Sequence, residues 1–289
     1  MNALNRKVVL VTGATSGLGK VVALELAKTG VEVVIVGRDA AKTRMTAREI
    51  EEQGSNSSVG GLVAELSSMA EVRRLATDFR TRYSRLDVLI NNVGAIFARR
   101  QVTVDGYERT FALNHLGQFL LTNLLLDVVR ASAPSRIVNV SSGSHVGAKI
   151  DFDDLQGQRR YGIGGGRAYG QSKLANIMFT YELARRLAGT GVTANALHPG
   201  TVATTFGESN GGLMGLGMKL FHRWAISPEE GADTIMYLAS SPEVEGITGL
   251  YWEKRQPITS SPASHDESAQ KRLWEVSAKL TGVTAPVHV

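Results

Sequence analysis

The stretch KVVLVTGATSGLG, residues 7–19, decides the fold. Residues 7–12 form an apolar, β-branched run of strand length. Gly13, Gly17 and Gly19 interrupt it, and an amphipathic, helix-length stretch begins at about Leu18. A strand that turns through glycines into a helix brings unpaired backbone N–H groups to one point. The glycines permit the tight turn and the close approach of a pyrophosphate, which rests on the helix N-terminus. The spacing Gly-x3-Gly-x-Gly departs from the commoner G-x-G-x-x-G. By itself the turn reads equally as an ordinary strand–helix connection. Its place after the first strand of an alternating chain favours the phosphate cradle.

That alternation runs along the chain. Strand-length apolar runs recur at 31–36, 58–63, 87–91, 135–140, 192–197 and 249–252. Helical patterns fall at about 18–28, 40–53, 69–83, 106–130, 168–187 and 228–239. Continuous Val/Ile/Leu strands separated by helices predict a parallel sheet covered on both faces. Connections are short, without linker or repeat, so residues 1–289 read as a single doubly wound α/β domain. Two segments break the rhythm. Residues 143–168 are rich in Gly and Asp, including Gly164, Gly165 and Gly166. Residues 203–226 mix Gly211, Gly212, Gly215 and Gly217 with Leu213, Met214, Leu216, Met218, Leu220 and Phe221. Apolar side chains among hinge-capable glycines read as a mobile lid over an apolar pocket. An amphipathic surface helix is the alternative.

Composition excludes several classes. Of 289 residues, 43% are apolar and 20% charged, as in ordinary soluble globular proteins. There is no cysteine, which excludes disulfides, thiolate zinc sites and thiol nucleophiles, and fits a reducing compartment. The net charge of +5 is spread over doublets such as Arg73-Arg74 and Arg159-Arg160, with no basic tract, so no nucleic-acid partner is expected. The longest apolar runs fall far short of the ~20 residues a membrane span needs. Residues 1–7 carry no apolar segment, so no signal peptide is expected and a soluble, cytoplasmic protein is.

In open α/β sheets ligands bind at the carboxyl ends of strands, where the polar residues of this chain collect. The second strand ends Val36-Gly37-Arg38-Asp39. An acidic side chain at the tip would bind ribose hydroxyls, whereas a guanidinium there pairs with a 2′-phosphate. Arg38 therefore favours NADP(H) over NAD(H), with Asp39 read as a helix cap. The alternative is Arg38 as a solvated loop charge. Asn91-Asn92-Val93-Gly94 ends the fourth strand, its amides placed to tie off backbone groups and Gly94 open to a cofactor. Ser141-Ser142 ends the fifth, as turn formers or as hydroxyls aimed into a site. His198, before Pro199-Gly200, has no evident partner and reads as structural. Tyr169 and Lys173 lie four apart on one helical face. A cation beside a phenol favours the phenolate and lowers its pKa, which would let the pair move a proton on an alcohol oxygen.

Taken in order, TGxxxGxG at 12–19, Asn91 to Gly94, Asn114, Ser142, YxxxK at 169–173 and Pro199-Gly200 resemble the short-chain dehydrogenase/reductase family over about residues 7–255. SKLAN at 172–176, ELARRL at 182–187, HPGTV at 198–202 and Asp154-Leu155-Gln156 resemble its retinol-dehydrogenase-like branch. The resemblance implies NADP(H)-dependent interconversion of a carbonyl and an alcohol, and no metal. It implies Tyr169 as general acid/base, Lys173 as the group that tunes it and holds the nicotinamide ribose, and Ser142 as the oxyanion holder. Asn114 would hold a water that relays protons from Lys173. Cofactor contacts would come from Gly13, Thr15, Ser16, Gly17, Leu18, Gly19, Arg38, Asn92, Gly94, Pro199 and Gly200, with Glu65 and Leu66 at adenine. Residues 201–204, among them Val202 and Thr204, would reach the carboxamide and phosphates. By analogy helices 106–130 and 168–187 would carry a homodimer or homotetramer.

Three departures matter. Val93 replaces the commoner Ala, 26 residues separate Ser142 from Tyr169, and no apolar N-terminal anchor is seen. Retinoid specificity and membrane attachment therefore do not carry over. The Met/Leu-rich 203–226 segment suggests a fairly apolar small-molecule substrate. The rivals are an NAD-dependent alcohol dehydrogenase of the same fold and a dinucleotide sensor without turnover.

Overall fold

The strands expected from the apolar runs assemble into one sheet. In the computed structural model, which describes residues 7–54, 58–200 and 226–283, eight strands lie in the order β3-β2-β1-β4-β5-β6-β7-β8. They are β1 (Val8–Thr12), β2 (Glu32–Gly37), β3 (Val59–Val63), β4 (Val88–Asn91), β5 (Ser135–Val140), β6 (Val192–Leu197), β7 (Tyr251–Glu253) and β8 (Gln256–Ile258). All neighbours pair parallel except β7 and β8. The order reverses direction between β1 and β4, which opens a crevice at their carboxyl ends.

Within a continuous apolar strand, alternate residues feed two cores. Val8 and Leu10 of β1 and Val34 and Val36 of β2 pack on one face, against α3 (Met69–Arg82), α5 (Gly117–Ala131) and α6 (Gly166–Arg186). Val9, Val11, Val33 and Ile35 pack on the other, against α1 (Gly17–Lys28), α2 (Ala40–Gly54) and α7 (Pro228–Ser240). Local signals set the helix starts. Ser68 caps α3 by accepting the Glu71 N–H, and Ser227 and Glu230 form a capping box on α7 with Pro228 in its first turn.

The expected helix over 106–130 is different in detail. It begins with α4 (Arg109–Phe111), where the buried Glu108 carboxylate accepts the N–H groups of Thr110 and Phe111, both at 2.7 Å. A π-turn (Ala112–Leu116) follows before α5 resumes. The widened turn directs Asn114 toward β4 and α6, an arrangement set by tertiary contacts that helical periodicity does not encode. Gly117 closes the turn against the Leu66 carbonyl, where any Cβ would collide with backbone.

The 143–168 insert is tied down. The Asp154 carboxylate accepts backbone N–H groups of Gln158, Arg159 and Arg160, and the Tyr161 hydroxyl donates to the Phe97 carbonyl at 2.8 Å. Two elements had no counterpart among the sequence patterns: the antiparallel edge strand β8 and the last helix, α8 (Glu267–Thr281). Helix α8 lies across α5 and α6. Trp274 packs on Phe119 and Phe179 at ring-centroid distances of 5.0 and 5.7 Å, and Arg186 covers its other side. Under this cover α6 is buried without interruption from Gly170 to Ala184. The lid expected over 203–226, with Thr201, Val202 and Thr204, falls outside the described residues except for Ile226. Among the described residues, no helix is long and apolar enough to cross a membrane.

Candidate active site

The glycine turn after β1 is shaped by close contacts. Gly13 and Gly17 have φ of +67° and +51°, a region that favours glycine. A Cβ on Gly19 would sit 2.5 Å from both the Gly13 carbonyl and Asn92 Nδ2, and one on Gly13 would meet Val93 Cγ2 at 2.8 Å. Asn92 stitches the turn to β4: its Nδ2 donates to the Thr12 carbonyl at 2.9 Å, and its N–H donates to the Thr12 hydroxyl at 3.0 Å. Thr12, the first residue of the TGxxxGxG motif, joins the ends of β1 and β4 through its hydroxyl. Ser16, at the N-cap of α1, makes no side-chain cap. The first-turn N–H groups of α1 thus remain available to an anion. An uncapped helix start behind a cradle that a Cβ would fill fits a dinucleotide pyrophosphate.

Thr15 packs over Gly37, where a Cβ would collide with Thr15 Cγ2. Arg38 follows at the surface, and among the described residues no carboxylate pairs with it. Asp39 Oδ1 accepts the Lys42 N–H at 2.7 Å, the cap expected of it. Glu65 Oε1 accepts from the Ser67 N–H and hydroxyl. Leu66 is buried in the core, so its side chain is not free to stack on a ring, and only its main chain is left for a ligand.

The second cluster lies at the ends of β4 and β5. Lys173 is 2% exposed, and its Nζ donates to the Val140 carbonyl at 2.9 Å. A Cβ on Gly94 would be 2.9 Å from that Nζ and 3.9 Å from Asn114 Oδ1, so Gly94 lets both groups face one space. Asn114 is fixed by three bonds. Its Nδ2 donates to the Ala95 carbonyl and to Ser172 Oγ, both at 2.9 Å, and its Oδ1 accepts the Ala95 N–H at 2.8 Å. Ser172 in turn donates to the Tyr169 carbonyl at 2.8 Å. Of the serine pair, Ser141 is structural, donating to the Lys173 carbonyl at 2.8 Å. The Ser142 hydroxyl faces the Tyr169 phenol and lowers its pKa, and Ser142 Oγ accepts the Ser144 N–H at 3.2 Å. A buried relay of Thr122, Asn91, Asn139 and Thr180 runs between the helices behind the site.

The electrostatics differ from the expectation that Lys173 lowers the Tyr169 pKa. Burial pushes Tyr169 up to about 12, with the nearby Ser142 hydroxyl opposing it. Burial also pulls Lys173 down to about 8. The Nζ is 5.7 Å from the phenol ring centroid. For both groups desolvation is the leading cause of the shift. At neutral pH the cluster therefore presents a protonated phenol facing a serine hydroxyl, with a lysine nearby that still carries its proton. That state suits donation of a proton to an oxygen held at Ser142. His198 is partly buried, its pKa lowered mainly by burial, and among the described residues its Nδ1 has no partner. Pro199 and Gly200 follow β6 directly, Gly200 with φ of +87°. No cluster of potential metal ligands occurs among the described residues.

The chain is similar to known proteins. The profile of the family described as short chain dehydrogenase matches residues 7–212. Human retinol dehydrogenase 13 is 43% identical over 287 residues, covering 97% of this chain and 86% of that protein. The crystal structure of an uncharacterised protein from Mycobacterium paratuberculosis superposes with a TM-score of 0.77 at 34% identity, covering 98% and 96% of the two chains. The RhlG/NADP complex of Pseudomonas aeruginosa gives a TM-score of 0.67 at 28% identity, covering 86% and 94%. With its sheet order, glycine cradle and Ser142–Tyr169–Lys173 cluster, the chain belongs to the short-chain dehydrogenase family, in its retinol-dehydrogenase-like part, and is an oxidoreductase that acts on CH–OH groups with a nicotinamide dinucleotide.

Proposed function

We propose that this protein interconverts a carbonyl and an alcohol on a fairly apolar small molecule, with NADP(H) preferred and Tyr169 as general acid/base. The observation that carries the reading is the Tyr169 phenol facing the Ser142 hydroxyl, with the buried Lys173 Nζ 5.7 Å from its ring centroid. The cofactor, when bound, supplies or accepts the hydride. Ser142 holds the substrate oxygen and stabilises charge that develops on it. Tyr169 gives that oxygen its proton in reduction and takes it back in oxidation. Lys173 and Asn114, which flank Gly94, are assigned to ribose binding and to a water that refills the Tyr169 proton.

The glycine turn from Gly13 to Gly19 would hold the pyrophosphate, with Thr15, Ser16, Gly17 and Leu18 in contact, and Asn92 and Gly94 would border the nicotinamide half. Pro199, Gly200, Val202 and Thr204 are assigned to the carboxamide and phosphates. Arg38, exposed and without a carboxylate partner among the described residues, supports 2′-phosphate recognition, as does the engagement of Asp39 in a cap. The names of the similar retinol dehydrogenases make long apolar alcohols and aldehydes, all-trans-retinal among them, the first substrates to try. The continuous sheet supports the single-domain reading. Cover by α8 argues that a homodimer or homotetramer would have to use a face other than that of α6.

A panel of decanal, acetophenone and all-trans-retinal, followed by NADPH and NADH absorbance, tests the proposal. The expected result is turnover of at least one, with NADPH bound at least about tenfold tighter than NADH, a difference worth about 1.4 kcal/mol. No oxidation of NADPH with any carbonyl, or equal affinities, would count against the corresponding half of the proposal.

A further inference from the structure

We infer that His145 is a positioning residue: it clamps the Ser142 turn against α6 and fastens that turn to the C-terminal segment at Ser261. The inference rests on the proposed role of Ser142. His145 is 3% exposed. Two of its donors converge on one acceptor, the Ser142 carbonyl, with the backbone N–H at 3.2 Å and the ring Nδ1 at 2.7 Å. Its Nε2 lies 3.1 Å from the Ser261 backbone N–H.

These partners fix the proton. A carbonyl only accepts, so Nδ1 carries the hydrogen; a backbone N–H only donates, so Nε2 is bare. The neutral Nδ1–H tautomer satisfies both bonds, and neither the other tautomer nor the imidazolium does. Tyr251 packs on the ring edge-on at 4.9 Å and holds it in place. The opposite side of the turn rests on α6 at Gly170, where a Cβ would be 2.8 Å from the Ser144 carbonyl. The residue whose hydroxyl meets Tyr169 is thus gripped from both sides. In sequence, His145 is a lone histidine in a Ser/Gly turn, and nothing in its spacing marks it.

Two amides separate the two hydrogen bonds. In His145→Asn the side-chain Nδ2 replaces Nδ1, which keeps the bond to the Ser142 carbonyl and breaks the one to Ser261. In His145→Gln the amide reaches the Nε2 position, which keeps the bond to Ser261 and breaks the one to the Ser142 carbonyl. With NADPH and the best-turned-over of decanal, acetophenone and all-trans-retinal, His145→Gln is expected to lower kcat at least about tenfold, the scale of a small misplacement. Its KM for NADPH should stay within about twofold of the parent, and His145→Asn should keep kcat within about threefold. Equal decreases in both variants, or a KM for NADPH that rises in step with the fall in kcat, would reduce His145 to a packing residue and overturn the inference. Long-range 1H–15N NMR of imidazole-labelled protein needs no substrate: it should show Nδ1–H for His145, and an Nε2–H signal would overturn the inference. Tyr169→Phe serves as control, because undiminished turnover there would sink the proposed function itself.

Discussion

Replacing Lys173 by Met should stabilise the cofactor-free protein at neutral pH, although Lys173 belongs to the candidate site. Its ammonium is 2% exposed and titrates near 8 instead of 10.5 because burial penalises the charge. That difference corresponds to about 3 kcal/mol against the charged lysine. Met keeps the length of the side chain and removes the charge. It also removes the Nζ–Val140 hydrogen bond, at a cost of about 1 kcal/mol. The net gain at pH 7 is therefore about 2 kcal/mol. The sign with pH follows from linkage. Between about pH 8 and 10.5 the unfolded chain binds more protons at this lysine than the native one, so the parent gains stability as pH rises. Met does not titrate, and the advantage of the variant should be nearly gone at pH 10. Urea unfolding of parent and variant at pH 7 and pH 10, without cofactor, gives both differences. A variant less stable than the parent at pH 7, or a difference of the same size at both pH values, would refute the desolvation argument.

Three other substitutions probe separate parts of the account. Gly19→Ala drives a Cβ to 2.5 Å from the Gly13 carbonyl, backbone that cannot swing away; fluorescence titration should show NADPH affinity at least about tenfold weaker, with a stability loss of about 1–3 kcal/mol. Arg38→Asp should narrow the NADPH-over-NADH preference by about tenfold or more, read from paired titrations. Trp274→Ala opens the space between Phe119 and Phe179; urea unfolding should report a loss of about 3–5 kcal/mol.

The parallel sheet was legible because its strands are short apolar runs bounded by a glycine or polar turn, and run length together with the amphipathic period of the intervening stretches separates strands from helices. Asp39 as a cap also agrees with the sequence pattern. The π-turn at Asn114 was not legible, since the partners that hold its amide, Ala95 and Ser172, are 19 and 58 residues away. Nor was α8: its Leu273, Trp274 and Ala278 fill a groove between α5 and α6 that exists only after those helices have docked. In the cofactor-free protein burial raises the Tyr169 pKa, where a lowering by Lys173 was expected. Spacing shows that two groups are neighbours, while desolvation depends on everything that covers them. His145 escapes notice for a related reason, because its partner Ser261 is 116 residues away.

In the proposed reaction the Tyr169 phenol moves the substrate proton, while Ser142 stabilises charge on the oxygen and Lys173 and Asn114 serve the ribose and the proton supply. Tyr169→Phe keeps the ring and deletes the hydroxyl. Steady-state turnover of the best panel substrate should fall at least about a hundredfold, the scale of missing general acid catalysis, while NADPH titration shows affinity within about threefold of the parent. Turnover that survives the substitution at the parental rate would contradict the account.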